Sequence, residues 1–190
     1  LLNSIMNVII EENLFNEDYI KKQTSGFEEL QKHLKNYPPE LMEDQTGIDA
    51  NMIKEVARLF AKTKKGIIFW GMGVSQHVHG TDNARCLISL ALMTGNVGRQ
   101  GSGLHPLRGQ NNVQGASDAG LIPMMYPDYQ LVEKDEKKDF FEKFWKTTLD
   151  DKKGLTVVEI MDAIHERTIK GMYILGENPA MSDPDLNHAR

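Results

Sequence analysis

The stretch with the most potential chemistry is LHPLRGQNNVQGASD, at residues 104–118. It places Gln110, Gln114 and two asparagines around one arginine, Arg108. Amide side chains donate and accept in one plane, which suits the edge of a heterocycle, and a guanidinium offers a planar fork of donors to a small carboxylate. The same amides could instead bond to their own backbone, so composition alone leaves a purely structural loop open.

A second candidate is GMGVSQ, at residues 71–76, which follows a short apolar run. Gly71 and Gly73 stand where a strand would turn into a helix, and backbone N–H groups there can approach a phosphate closely. The segment lacks the third glycine of the dinucleotide fingerprint and the later acidic residue that contacts a ribose, so an NAD site fits poorly. A tight strand-to-helix turn without any ligand is the alternative.

Histidine and cysteine usage gives no metal centre. His77 and His79 alternate beyond the glycine turn, but no third ligand stands at a recognisable spacing, so we predict no metal site here. Cys86 is the only cysteine, which excludes an internal disulfide and argues against an iron–sulfur cluster held by this segment alone. We expect Cys86 to be a small buried apolar residue.

Composition excludes two classes of partner. With 22 basic and 27 acidic residues the net charge is -5, which leaves no basic field for nucleic acid. The longest apolar stretch, residues 86–93, is too short for a direct membrane span. We expect a cytoplasmic protein; any export signal would lie before Leu1.

The elements that position these residues follow a repeated pattern. Residues 67–70 and 172–175 are short apolar runs that predict strands buried on both faces, and each lies between a helix and a glycine-containing loop. Asp49 caps the helix before the first strand, and a capping box of Thr156 and Glu159 opens the helix before the second. This is typical of a doubly wound α/β fold with mostly parallel sheet pieces and flanking helices, which binds ligands at the carboxyl ends of its strands.

The remaining segments are predicted as helices and one long loop. Helices are expected over residues 2–12, 18–36 with a weak point at 24–26, 82–93 and 135–147. Glycine recurs through residues 95–120, which predicts a long loop, and loops of this length in compact proteins are usually functional or disordered.

Three motifs in a fixed order resemble the large subunit of formate dehydrogenases in the molybdopterin oxidoreductase family. They are WGMGVSQ at 70–76, LMTGNVG at 92–98 and PLRGQNNVQG at 106–115, followed by GENP at 176–179. The resemblance runs through essentially the whole chain, and the order is more specific than any single motif. Ser117 departs from it, because many relatives have a cysteine there, although that cysteine is not a metal ligand.

The resemblance implies a bis-molybdopterin guanine dinucleotide cofactor with molybdenum or tungsten, bound by two α/β domains of the formate dehydrogenase/DMSO reductase type. It assigns Gly71, Gly73 and Gln76, with Gly95 and Asn96 nearby, to one nucleotide. Gly176, Asn178 and Ser182 would serve the other nucleotide. Gln110 would reach a pterin, and Arg108 would lie beside the metal as the substrate residue.

The same resemblance implies that the chain is an internal part of a larger subunit. Residues 1–105 would belong to the first cofactor-binding domain, 106–119 to an active-site loop and 120–190 to the second domain. The metal ligand and a 4Fe-4S cluster would lie before residue 1. The implied partners are formate or CO2, the rest of the same subunit and electron-transfer iron–sulfur subunits.

Other functions remain open within and beyond this family. A nitrate reductase or a formylmethanofuran dehydrogenase would share the cofactor, but Arg108 favours formate because a small carboxylate needs a cation. A non-catalytic scaffold, as in the related subunit of respiratory complex I, would need neither Arg108 nor the amide cluster.

Overall fold

The computed structural model describes residues 1–189. The chain divides into two compact units, Leu1–Gly109 and Gln110–Arg190. The division falls inside the predicted loop at 106–119. The assignment of the parts on either side to two cofactor-binding domains stays a prediction. Within residues 1–189 no helix has both the length and the apolar composition needed to cross a bilayer.

The first unit is built around a buried helix. Its helices are α1 (Leu2–Glu11), α2 (Glu17–Gln23), α3 (Phe27–Leu34), α4 (Pro39–Thr46), α5 (Ala50–Lys62), α6 (Met72–Ser75) and α7 (Gly80–Met93). Ile9 of α1 is fully buried in one cluster with Leu34 and Ile53. All of residues 4–10 in α1 are buried, because α3, α4, α5 and α7 pack against this helix.

Local signals explain the helix boundaries. The helix predicted over 18–36 is two helices, because Gly26 adopts a left-handed φ of +76° between α2 and α3. Sequence reasoning missed α4, which begins at Pro39, where proline has a suitable φ and its missing N–H costs nothing. Asp49 caps α5 as predicted, with its carboxylate accepting backbone N–H bonds from the first turn.

A two-stranded parallel sheet completes the first unit, in which β1 (Ile67–Trp70) pairs with β2 (Gly103–Pro106). The prediction that β1 is buried on both faces is wrong. Ile68 packs against the helical core, but Ile67 is 43% exposed and Phe69 is 60% exposed. Within residues 1–109 the helices cover only one face of this sheet. Sequence reasoning missed β2, because its residues lack an apolar run.

Cys86 is half-buried on α7 rather than fully buried as expected. Its thiol lies 3.4 Å from Oδ1 of Asn3 and can donate a weak hydrogen bond to it. Burial, with a smaller contribution from Asp82, raises the pKa of the thiol above its ordinary value. The thiolate that would be needed for nucleophilic or redox chemistry is therefore disfavoured.

The second unit has shorter elements and a smaller core. They are α8 (Val113–Asp118), β3 (Met125–Tyr126), β4 (Gln130–Leu131), α9 (Asp135–Trp145), α10 (Val157–His165), α11 (Pro179–Ser182) and α12 (Leu186–Ala189). β3 and β4 form an antiparallel ribbon. Tyr126, Val132 and Phe141 are the buried members of its core cluster. The predicted capping box of Thr156 and Glu159 is present at the start of α10.

The prediction of a second buried strand at residues 172–175 is wrong. This segment forms no strand, and Tyr173 and Leu175 are 88% and 82% exposed. A parallel strand needs a neighbour for its N–H and C=O groups, and the only paired strands described in residues 110–189 are β3 and β4. The helix–strand–helix arrangement of an α/β fold is thus present in the first unit alone.

Candidate functional site

The carboxyl ends of β1 and β2 lie side by side. The parallel register pairs Trp70 with Pro106, and the Leu107 N–H donates to the Trp70 carbonyl at 2.7 Å, one residue beyond β2. The turn at residues 71–76 and the segment bearing Arg108 therefore leave the sheet at the same edge. In α/β sheets ligands bind at this edge.

The two glycines of the turn are not required by the protein's own packing. Gly71 has an extended backbone with φ at -127°, and neither Gly71 nor Gly73 has a positive φ. A Cβ atom at either position would meet no atom within 4 Å. The turn therefore does not need glycine for its own geometry, and the open space leaves room for a ligand to approach the backbone. Nucleotide binding at this turn stays a prediction.

His77 stabilises the turn through a hydrogen bond to its backbone. Its Nε2 lies 2.7 Å from the Gly73 carbonyl oxygen, and because a carbonyl only accepts, the ring nitrogen must donate. Gln76 is exposed, and among residues 1–189 its side-chain amide has no hydrogen-bond partner. Sequence reasoning treated His77 only as a candidate metal ligand. No group of three metal-binding side chains occurs in the described part of the chain.

Close packing between α6 and α7 fixes the far end of the turn. A Cβ atom added to Gly80, the first residue of α7, would lie 1.7 Å from the Ser75 carbonyl oxygen. The Asn83 side chain also donates to the Val74 carbonyl at 3.0 Å. The turn is therefore held by backbone contacts that larger residues at position 80 would disrupt.

Arg108 is exposed at the shared edge. Within residues 1–189 its guanidinium makes no ion pair and no hydrogen bond. The other three arginines of the first unit do: Arg58 pairs with Glu12, Arg85 pairs with Asp82, and Arg99 donates a hydrogen bond to Asn96. An unpaired planar cation at a strand end is free to bind an anionic ligand.

The His105 side chain lies on the exposed face of the sheet and not at the edge that carries Arg108. Its ring stacks on Phe69, its register partner on β1, with centroids 5.2 Å apart and an interplanar angle of 24°. Its Nε2 would lie 3.3 Å from a Cβ atom at Gly103, so the ring folds back along the strand, away from the carboxyl end. Its place on the exposed sheet face removes it from the edge that carries Arg108.

Gly95 and Asn96 are part of the buried scaffold of the first unit. Asn96 is fully buried, and its side chain accepts from the Gly66 N–H at 3.0 Å and donates to the Thr94 hydroxyl at 2.8 Å. Gly95 has a φ of +65°, and a Cβ atom there would lie 2.8 Å from the side-chain nitrogen, Nδ2, of Asn16. Asn96 positions the start of β1 through Gly66, whereas Gly95 packs against Asn16 and Tyr19 at the start of α2. A direct contact of either residue with a nucleotide stays a prediction.

Three candidate residues of the second unit gather around α11. Gly176 has a φ of +72° with open space around it, which a side chain could not adopt without strain. The Ser182 hydroxyl donates to Oε1 of Glu177 at 2.6 Å and lies 3.1 Å from the Asn178 carbonyl oxygen. The Ser182 hydroxyl, and then the Asn178 N–H, lower the pKa of Glu177. Glu177, which sequence reasoning passed over, is thus the charged group that joins Asn178 and Ser182.

Gln110, the remaining candidate, is exposed. Its side chain has no hydrogen-bond partner among residues 1–189. Asn112, two residues further along, is the N-cap of α8 and adopts a left-handed φ of 53°; a Cβ atom at Gly115 would lie 2.4 Å from its side-chain oxygen. The amide-rich stretch is therefore only partly used by its own local structure.

Comparison with known proteins agrees with the motifs. The chain is 46% identical over 188 residues to the F420-dependent formate dehydrogenase subunit alpha of Methanocaldococcus jannaschii, covering 99% of this chain and 28% of the relative. It is 41% identical over 191 residues to formate dehydrogenase H of Escherichia coli, covering 100% of this chain and 27% of that protein. The chain thus spans little more than a quarter of the length of these relatives.

Two further proteins define the breadth of the likeness. The assimilatory nitrate reductase catalytic subunit of Bacillus subtilis is 34% identical over 189 residues, or 98% of this chain and 27% of the relative. Among solved structures, acetylene hydratase from Pelobacter acetylenicus superposes with a TM-score of 0.51 at 26% identity, covering 53% of this chain and 14% of that chain.

A comparison with protein-family models covers the whole length of the chain. The model described as molybdopterin oxidoreductase matches residues 1–190, which include the glycine turn at 71–76, the GENP segment at 176–179 and Arg108. Membership in this family implies a molybdopterin-type cofactor. Within residues 1–189, the exposed edge of the β1–β2 sheet offers both open backbone and an unpaired cation. The chain belongs to the molybdopterin oxidoreductase family.

Proposed function

We propose that this chain is part of the catalytic subunit of a molybdenum- or tungsten-dependent formate dehydrogenase, which oxidises formate to CO2 or catalyses the reverse reaction. In this proposal the segment binds the pterin guanine dinucleotides and supplies Arg108 to the substrate. The formate dehydrogenases among its relatives, at 46% and 41% identity, support the reaction.

One observation carries the proposal. Parallel pairing of β1 and β2 brings an open glycine turn and an unpaired arginine to the same sheet edge. A phosphate-bearing cofactor and a small carboxylate substrate need these two groups close together. A scaffold protein without catalysis would need neither an open glycine turn nor an unpaired arginine at this edge.

The residues present fit a pterin guanine dinucleotide. Gly71 and Gly73 leave their backbone open to phosphates, and the amide of Gln76 is available to a heterocycle. Gly176, Asn178 and Ser182 would hold the second nucleotide, where Glu177 offers a carboxylate to donors on a purine. Gln110 would contact a pterin. When bound, the cofactor and its metal accept the two electrons that formate loses.

Arg108 would bind and orient formate. Formate is ionised at neutral pH and offers only two oxygens and one C–H bond for recognition. A guanidinium can bind both oxygens with parallel N–H donors, which fixes the plane of the carboxylate and the direction of the C–H bond. Lysine would keep the charge but lose that orientation.

Further groups of the reaction lie beyond this chain in the proposal. Its single cysteine is half-buried with a raised pKa, so it is a poor candidate for a metal or cluster ligand. The metal ligand, the 4Fe-4S cluster and the electron-transfer iron–sulfur subunits would belong to the rest of the protein and its partners.

Nitrate reduction is the second candidate, because a nitrate reductase catalytic subunit is 34% identical over 98% of this chain. Nitrate is also a planar anion that a guanidinium can bind. Formate is favoured because the more similar relatives are formate dehydrogenases.

The test is to assay the full-length protein, purified without oxygen, for dye reduction by formate and for dye oxidation by nitrate, alongside its molybdenum and tungsten content. We expect formate-dependent turnover with one of the two metals bound. Turnover with nitrate alone would replace the proposed substrate. A protein that contains iron but neither molybdenum nor tungsten would leave the scaffold function.

A further inference from the structure

Arg108 lies between two anchored neighbours. On one side, the Leu107 N–H donates to the Trp70 carbonyl at 2.7 Å and extends the β1–β2 pairing. On the other side, Gly109 lies so close to Met72 that an added Cβ atom would be 2.7 Å from the Met72 Cε methyl. A single residue, Arg108, spans the distance between these contacts.

Met72 belongs to the glycine turn and touches the arginine segment. It is the first residue of α6, directly after Gly71, and it is partly exposed at 39%. Its backbone position is fixed, because its carbonyl accepts the Gln76 N–H at 2.8 Å. The side chain thus reaches from the turn at the end of β1 to the backbone beside Arg108.

We infer that Met72 is a positioning residue, which holds the Arg108 backbone against the glycine turn and so sets the place of the guanidinium relative to a cofactor bound there. The inference rests on the proposed function for its substrate part, although the packing itself does not. A thioether side chain suits this task because it is unbranched and fills an irregular gap between two loops.

Glycine at position 109 is part of the same device. Its φ is not in the left-handed region, so backbone strain does not require glycine there. The Met72 methyl is the atom that an added methyl group at position 109 would meet, at 2.7 Å. Because this methyl is the end of a flexible side chain, it could move aside, so the contact favours glycine at position 109 without requiring it. Because Gly109 has no side chain, the Met72 methyl can contact its backbone directly, and the glycine turn and the Arg108 segment lie close together.

The test uses Met72→Ala, the volume-conserving Met72→Leu and a matched control, Met52→Ala, whose methionine is 57% exposed on α5. Hydrogen exchange of residues 104–112 and formate kinetics per mole of bound metal are measured in the full-length protein. Met72→Ala should speed exchange of this segment and lower kcat per metal roughly ten-fold, since small misplacements of a substrate-binding group are costly. Met72→Leu should restore most of both, and Met52→Ala should change neither.

Unchanged exchange in Met72→Ala would overturn the inference, whatever the kinetics. Faster exchange with unchanged kcat per metal would also overturn it, provided that Arg108→Lys does lower kcat, because the position of the segment would then not matter to the chemistry. If Arg108→Lys leaves kcat unchanged as well, the substrate role of Arg108 fails and the proposed function fails with it. A purely structural role for Met72 would lower metal content but leave kcat per metal unchanged.

Discussion

The Leu1–Gly109 unit and the Gln110–Arg190 unit differ in how they hold their candidate residues. The first unit surrounds a helix that is buried on nearly every side, and its sheet is fixed to that core through Ile68 and Asn96. The second has a small aromatic core, and its candidate residues around α11 are held only by local, exposed hydrogen bonds.

This difference separates two kinds of motif residue. In the first unit Gly95 and Asn96 are buried and use their surroundings fully, whereas Gly71, Gly73 and Arg108 lie open at the sheet edge. Burial thus separates motif residues that support the fold from motif residues that are accessible to a ligand, a distinction that the sequence motifs do not make. In the second unit every candidate is exposed, so the same division cannot be made there.

The largest effect should come from the core of the first unit. Ile9→Ala should reduce the free energy of unfolding of the 190-residue chain by about 2–5 kcal/mol, because Ile9 is fully buried and truncation leaves a cavity. Urea unfolding followed by circular dichroism measures it. The control is Leu59→Ala, which is 71% exposed on α5 and should change stability by no more than about 0.5 kcal/mol. Equal effects would remove the contrast on which the comparison depends.

The next effect tests whether Gly95 belongs to the scaffold. Gly47→Ala carries only the left-handed penalty of about 1–2 kcal/mol, because its φ is +68° and nothing lies within 4 Å. Gly95→Ala has nearly the same φ but also meets Asn16, so it should cost a further ~1–3 kcal/mol for overpacking. The difference between the two variants in urea isolates the contact, and no difference would mean that position 95 is not tightly packed.

Asn96→Ala should destabilise the first unit by about 1–3 kcal/mol, since it leaves the Gly66 N–H buried without its partner. Asn96→Asp retains an acceptor for that N–H and should recover part of the loss. If Asn96 instead contacts a nucleotide directly, the full-length variant would lose pterin while the unfolding midpoint of the chain stayed unchanged.

A smaller, pH-dependent effect is expected in the second unit. Bonds from the Thr156 N–H and hydroxyl lower the pKa of Glu159 below its ordinary value of 4.5. A carboxylate with a depressed folded pKa stabilises above its unfolded pKa, and that contribution disappears as pH falls from about 4.5 through the lower folded value. Glu159→Gln keeps an acceptor for the capping box but cannot titrate. Its thermal midpoint should fall less on acidification than that of the parent, and identical falls would contradict the role of the box.

Sequence reasoning located those elements that local signals define. The Asp49 cap, the Thr156 capping box and the apolar run of β1 each determine structure within a few residues, and all three are present. β2 was missed because its strand character comes from pairing with β1 rather than from its own composition. The segment at 172–175 has the composition of a strand, but no partner within residues 110–189, so it does not form one.

The site was predictable as a set of residues but not as a geometry. The order of the motifs indicated Gly71 and Arg108 together, yet only the parallel register shows that they share an edge. The contributions of His77 and Met72 depend on a ring nitrogen and a methyl group meeting backbone atoms, at the Gly73 carbonyl and beside Gly109. Contacts of this kind leave no compositional signal in the sequence.

The most direct test of the central claim is the formate turnover of the full-length protein with Arg108→Lys and Arg108→Ala. Lysine keeps the charge but loses the paired donors, so Arg108→Lys should lower kcat roughly ten-fold or more, at about 1.4 kcal/mol of transition-state stabilisation per decade. Arg108→Ala should be lower still, and metal and pterin contents should stay near those of the parent because Arg108 is exposed and unpaired within residues 1–189. Unchanged formate kinetics in both variants, at full metal occupancy, would show that Arg108 is only a surface residue and would contradict the account.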